Sequence, residues 1–271
     1  MMEFSNNCDK KNHMALIIKE FGRVRLIEFN RPEQLNAFNC QQFAETREAL
    51  SAAQVDPNIA VVVLTGAGKA FSAGADLEDM RRKIKGTEES IDFPEFLAVV
   101  AAFNKPLIAA VNGVGVGIGM TLLAYCDLVL ISEKARLRAP FPQLGLAPEA
   151  GSSGLFPQQV GWQNAAYVLM SGDWITSNEA VELGFAWRLL APEELMGETM
   201  KIAAKIAANP ISSLVETKAL MLESGKYEVG RRAHGREVQA YTRLMGSPAN
   251  REAIDAFFNK RMPDFTKIDG C

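Results

Sequence analysis

The stretch LAPEAGSSG, residues 146–154, sets one carboxylate, Glu149, between a proline and a run of tiny residues. Leu144, Leu146 and Ala147 precede it, and Leu155, Phe156 and Pro157 follow. A glutamate in such apolar company is either a first-turn acid favoured by a helix dipole or a base. Burial would raise the carboxyl pKa of a base and fit it to take and return a proton near neutrality. Two glycine turns offer a complement. In GKAFSAGADLEDM (68–80), Gly74 lets the backbone approach a ligand, and Asp76 through Met80 open a helix with free N–H groups. In NGVGVGIGMTLLAYCD (112–127) the same order recurs, with a helix beginning near Ile118. One N–H from each turn could meet on a single oxygen and stabilise negative charge developing there. Tight strand-to-helix connections alone also account for such glycines.

Other chemistries have less to work with. The second turn reads G-x-G-x-G-x-G, never the G-x-G-x-x-G of a dinucleotide site, and no Walker A lysine follows. GSSG lacks the G-x-S-x-G elbow of a serine hydrolase, with His234 the one late candidate base. Cys8, Cys40, Cys126 and Cys271 are scattered without a CxxC pair, and His13 and His234 are the two histidines, so a zinc or iron–sulfur site is not expected. The economical choice is glutamate chemistry without a metal.

The elements that must position these residues follow from the hydropathy pattern. Residues 14–20 and 23–29 flank FGR and predict a hairpin. Asn39 can cap a helix over about 40–54, with Gln42 in the reciprocal position. AVVVLTG (60–66), LIAAV (107–111) and DLVLIS (127–132) are buried strands, and the latter two each follow a helical segment. Strand and helix in alternation imply crossovers and parallel pairing. From about 161 onward the strand signal fades. WQNAAYVLMSG, TSNEAVELG, EELMGETMKIAAKIAAN, SSLVETKALMLES and 231–246 predict helices. Residues 1–13 form a polar leader, 14–190 an α/β core and 191–271 a helical C-terminal region; RRKIKGTEESIDFPEF is a solvated connection.

Among 271 residues, 48% are hydrophobic and 23% charged, which permits a sizeable core. A net charge of -3 gives no reason to expect nucleic acid as a partner. The apolar run 106–131 is interrupted by Asn112, Asp127 and alternating glycines, so no membrane span is expected. Cysteine usage and the polar start favour a reducing, cytoplasmic location.

AFSAGADL, KPLIAAVNGVGVGIGM, CDLVLISEKARL, PQLGLAPEAGSS and the late AIDAFFNKR, in this order, resemble the enoyl-CoA hydratase/isomerase (crotonase) family over about 14–262. The resemblance implies an α/β fold, a repeated ββα spiral core with a C-terminal helical trimerisation region, assembled as a homotrimer or dimer of trimers. It implies an acyl-CoA thioester as ligand, so that coenzyme A enters with the substrate and no separate cofactor is needed. Its carbonyl would sit between the backbone N–H groups of Ala75 and Ile118. Ala73 and Leu77 would contact the adenine, and Phe257 and Lys260 would reach the nucleotide, often across a subunit boundary. After Arg31-Pro32 the family often has a basic residue near the phosphates; here Glu33-Gln34 stand instead.

Family hydratases hold water with two glutamates. Here those places are Thr121 and Phe141, pocket residues that cannot exchange a proton as a carboxylate does. Glu149 stands where the Δ3-Δ2-enoyl-CoA isomerases carry their single catalytic glutamate. The implied activity is therefore isomerisation of 3-enoyl-CoA to 2-trans-enoyl-CoA in fatty acid oxidation. A hydratase or another crotonase-type lyase or hydrolase is the alternative, and a non-catalytic acyl-CoA-binding protein is a third.

Overall fold

The computed structural model describes residues 14–85 and 93–268. Among these described residues ten strands form two sheets. β1 (Leu16–Phe21) and β2 (Val24–Phe29) make the expected hairpin around Gly22, which takes a positive φ. Beside them run β3 (Val61–Gly66), β5 (Leu107–Val111), β7 (Leu128–Ser132) and β10 (Arg188–Leu190), all parallel. The smaller sheet takes β4 (Ala70–Ser72), β6 (Val114–Val116), β8 (Arg136–Arg138) and β9 (Trp174–Thr176), in that order. Three successive passes of the chain each give one strand to the large sheet and the next to the small one, as in a ββα spiral.

The three central strands of the large sheet are apolar runs because both of their faces are covered. Val62 and Leu64 face the main core with Phe29, Phe38 and Phe71. Val61 and Val63 face the other side, against the helix Leu195–Ala207. The C-terminal helices thus complete the core. The apolar run 106–131 is divided among β5, β6, the one-turn helix Ile118–Thr121, a 3-10 turn and β7. No described helix is long and apolar enough to cross a membrane.

The structure departs from expectation or adds to it in several places. Asn39 caps the helix Cys40–Val55 by accepting from Gln42 N–H, but the Gln42 amide does not reach back. It donates instead to the carbonyl of Asn36, a buried residue with positive φ that also receives the Ser72 hydroxyl. The strand signal does not end at 161: β9 and β10 follow, three residues each and too short to show alternation. A further helix, Pro248–Phe258, begins at the Ser247 cap and carries the AIDAFF segment. The polar leader 1–13, Cys271 and residues 86–92 of the RRKIKGTEESIDFPEF connection lie outside the described residues. The rest of that connection is not a solvated loop, since 81–84 end the helix Leu77–Ile84 and 93–96 open the helix Phe93–Ala102, where Phe96 is buried in the core.

Candidate active site

Glu149 is held by a turn of unusual backbone. Ala150 and Gly151 follow it with φ of 57° and 72°, both left-handed, and the helix Ser152–Val160 starts directly after. Such a double left-handed step turns the chain sharply and is costly for Ala150 unless its surroundings fix it. They do: the Tyr125 hydroxyl donates to Ala150 O at 2.7 Å, and Ser152 Oγ donates to Glu149 O at 2.6 Å. Glu149 therefore precedes the helix as a side chain of the turn, and its N-terminal dipole is capped by another acid. Glu237, from the helix Lys226–Leu244, accepts from Gly151 N–H at 2.6 Å, Ser153 N–H at 2.9 Å and Ser153 Oγ at 2.6 Å.

The Glu149 side chain enters a cavity of about 230 Å³. Phe38, Phe43, Phe93 and Met80 give it an apolar wall; Asp76, Asp79, Lys83, His234, Glu237 and Tyr241 bring polar groups. Burial pushes the Glu149 carboxyl up to about 7, and the negative charge of Glu237 adds to this. The Tyr241 phenol is raised by burial and by the Glu149 charge, so it stays protonated at neutral pH. Asp76 pairs with Arg31 at 3.2 Å and also caps the helix Leu77–Ile84; Asp79 pairs with Arg82.

The two glycine turns meet beside this carboxyl. A methyl placed on Gly117 would stand 3.8 Å from Glu149 Oε1 and 3.8 Å from Gly74 Cα. One placed on Gly74, whose φ is 98°, would lie 2.8 Å from Val116 O. Phe38 brackets the first turn, donating to Gly74 O at 2.7 Å and accepting from Asp76 N–H at 2.9 Å. The Ala75 N–H between them has no acceptor among the described residues, and Ala75 lines the cavity. Ile118 is the first residue of its short helix, so its N–H also lacks an intrahelical acceptor. Glu149 can take up a proton and the Ala75 N–H can meet an oxyanion in the same cavity; Ile118 is buried and its side chain does not line it.

A family model described as Enoyl-CoA hydratase/isomerase matches residues 20–268. The chain belongs to the enoyl-CoA hydratase/isomerase family. It is 35% identical over 251 residues to the 2,3-dehydroadipyl-CoA hydratase of Escherichia coli K12, covering 92% of this chain and 98% of that one. It is 32% identical over 252 residues to the 1,2-epoxyphenylacetyl-CoA isomerase of the same organism, covering 90% and 95%. A crystal structure of an enoyl-CoA hydratase/isomerase from Pseudoalteromonas atlantica T6c superposes with a TM-score of 0.87 at 34% identity, covering 93% of this chain and 99% of that one. The protein is thus a crotonase-fold enzyme of a family acting on acyl-CoA thioesters.

For a member of this family, the remaining expected residues fall in distinct places. Ala73 and Leu77 flank the first turn, and Leu77 packs with Met80, Leu146 and Ile254. Phe257 and Lys260 lie at the exposed end of the helix Pro248–Phe258 and line no part of the Glu149 cavity in this single chain. Thr121 and Phe141, expected in the pocket, are buried and do not line that cavity, and Thr121 Oγ1 has no hydrogen-bond partner among the described residues. Cys126 is buried and its thiol is pushed up to about 12, which keeps it from acting as a thiolate. No group of three or more metal-ligating side chains occurs among the described residues.

Glu237, Asp79, Lys83 and Tyr241 were not singled out from the sequence. The available signal is spacing: 234, 237, 238, 241 and 242 fall on one face of a helix predicted over 231–246. Which surface that face covers is not a property of the helix.

Proposed function

We propose that this enzyme is a Δ3-Δ2-enoyl-CoA isomerase of fatty acid oxidation with Glu149 as its single proton shuttle. The C2 protons of a 3-enoyl thioester are acidic because the electrons left behind spread onto the thioester oxygen. Glu149 takes one of them. The N–H groups of Ala75 and Ile118 stabilise the resulting dienolate oxygen. Protonated Glu149 then delivers the proton to C4 as the double bond settles between C2 and C3, giving the 2-trans-enoyl product.

The observation that carries this reading is the position of Glu149 Oε1 at the junction of the Gly74 and Gly117 turns. A carboxyl raised to about 7 is a stronger base than a solvated one and still returns its proton readily. Coenzyme A enters as part of the substrate, and no separate cofactor or metal takes part in these steps. The test is formation of the conjugated 2-enoyl thioester from a 3-enoyl-CoA. Glu149→Gln should lower kcat by roughly 10²–10⁴ with the fold and thioester binding retained; undiminished turnover would refute the assignment.

Relatives named as hydratases favour a second reading, addition of water to a 2-enoyl-CoA. Thr121 and Phe141 speak against it, since neither can activate water as a carboxylate does. Matched 2-enoyl- and 3-enoyl-CoA substrates given to the wild type decide between the two. The same proposal includes a cytoplasmic homotrimer or dimer of trimers, with Phe257 and Lys260 reaching a neighbour's nucleotide. Light scattering coupled to size-exclusion chromatography checks the assembly.

A further inference from the structure

We infer that Glu237 is a positioning residue for the proton shuttle: its buried carboxylate fixes the turn that presents Glu149 and sets a second negative charge on the wall of the same cavity. The inference rests on Glu149 being the base proposed above. Glu237 is 95% enclosed, since 5% of it remains exposed, yet it lies on the cavity wall. An acid so buried is costly unless its oxygens are satisfied. Three donors satisfy them, and all come from the two residues Gly151 and Ser153. These bonds hold the first turn of the helix Ser152–Val160, whose Gly151 cap has no side chain to supply an acceptor. Gly151 itself is hemmed in: a methyl there would lie 2.8 Å from Gly230 O and 2.9 Å from the Tyr125 hydroxyl. Glu237 thus clamps the far side of the turn that presents Glu149.

The clamp is also an anion. After Glu149 takes a proton, the negative charge facing Glu237 passes to the substrate oxygen between the two turns. A neighbouring carboxylate favours that transfer, because like charges in an enclosed site repel. Other charged or titratable groups face the same cavity. Asp76, Asp79 and Lys83 come from the helix Leu77–Ile84 and its cap, His234 and Tyr241 from the helix of Glu237, and Tyr125 touches the turn. Asp76 and Asp79 are each paired with an arginine. Glu237 instead receives neutral N–H and O–H donors, with His234 Nδ1 3.9 Å away. Its charge is therefore offset less completely than theirs.

The experiment compares pH profiles of kcat/KM for 3-enoyl-CoA turnover in wild type, Glu237→Gln and Ser153→Ala. The same series in a His234→Gln background removes the imidazole that faces the cavity. A carbon-13 NMR titration of the carboxyl resonance that vanishes in Glu149→Gln reads the same ionisation without turnover. In wild type, the rate should rise with pH through about 7. In Glu237→Gln the midpoint should fall by on the order of half a unit or more, with lower kcat and little change in KM. Ser153→Ala removes one donor from Glu237, leaves its charge less offset, and should move the midpoint the other way. A merely structural clamp would lower kcat and leave the midpoint in place, and that result overturns the inference. If Glu237→Gln does not fold, the direction of the Ser153→Ala shift decides. Absence of isomerisation by the wild type would sink the proposed function instead, while the NMR midpoints would still decide the role of Glu237.

Discussion

At the scale of single residues, Glu149 carries a cost that can be measured apart from catalysis. Its folded pKa is raised from an ordinary 4.5 to about 7, chiefly by burial. A raised folded pKa means that the group's favourable contribution is fully present below about 4.5 and is lost as pH rises through about 7. Holding the ionised carboxylate should then cost the wild type up to on the order of 3 kcal/mol. Glu149→Gln escapes that cost. Its melting temperature should exceed that of the wild type at pH 8 and converge with it at acid pH, as checked by calorimetry across the range. A Glu149 in free contact with solvent would show no such pH-dependent gap. Glu149→Gln would then be inactive and more stable at pH 8, the combination expected of a functional acid held in apolar surroundings.

At the scale of elements, the glycine turns and the helix pair around them set the site. Gly74 has a positive φ and a backbone oxygen in the way of any Cβ, so Gly74→Ala must shift one turn against the other. It should cost about 1–3 kcal/mol and reduce turnover more than thioester binding, measured by denaturant melts and steady-state kinetics. Gly22→Ala is the control. It also has a positive φ, but nothing lies within 4 Å of the added methyl, so its penalty should stay near 1 kcal/mol with activity unchanged. The helix Lys226–Leu244 reaches the Glu149 turn because glycines on both partners thin the contact. A methyl on Gly154 would stand 2.8 Å from Ala233 Cβ, and one on Gly230 would meet Leu155 at 3.3 Å. Gly154→Val should therefore push Glu237 off the turn and lower kcat. The NMR titration of Glu149 would follow that loss directly.

At the scale of the whole molecule, the C-terminal helices belong to the core that the earlier chain begins. The helix Leu195–Ala207 covers Leu26, Val61, Val63, Ile108 and Leu130 with Leu195, Ala203 and Ala207. Chain 14–190 alone would leave that sheet face open to water and should give no cooperative melt or near-ultraviolet circular dichroism. A soluble, cooperatively melting 14–190 fragment would contradict this account. Much was legible from residues alone. The hairpin at Gly22, the capped helix after Asn39, the three buried strands and the helices beyond 161 follow from local periodicity and turn chemistry, which act over a few residues. The sequence likewise marked Glu149 as a charge in apolar surroundings and the two glycine turns as places where backbone can come close. It did not show the three-residue strands β9 and β10, because three residues carry no period. Nor did it show that Glu237 would line the same cavity as Glu149, or that Thr121 and Phe141 would be buried away from its lining. Those juxtapositions depend on how helix faces pack across long separations in the chain, and close packing of the assembled core is what selects among the many arrangements that the same local pattern allows.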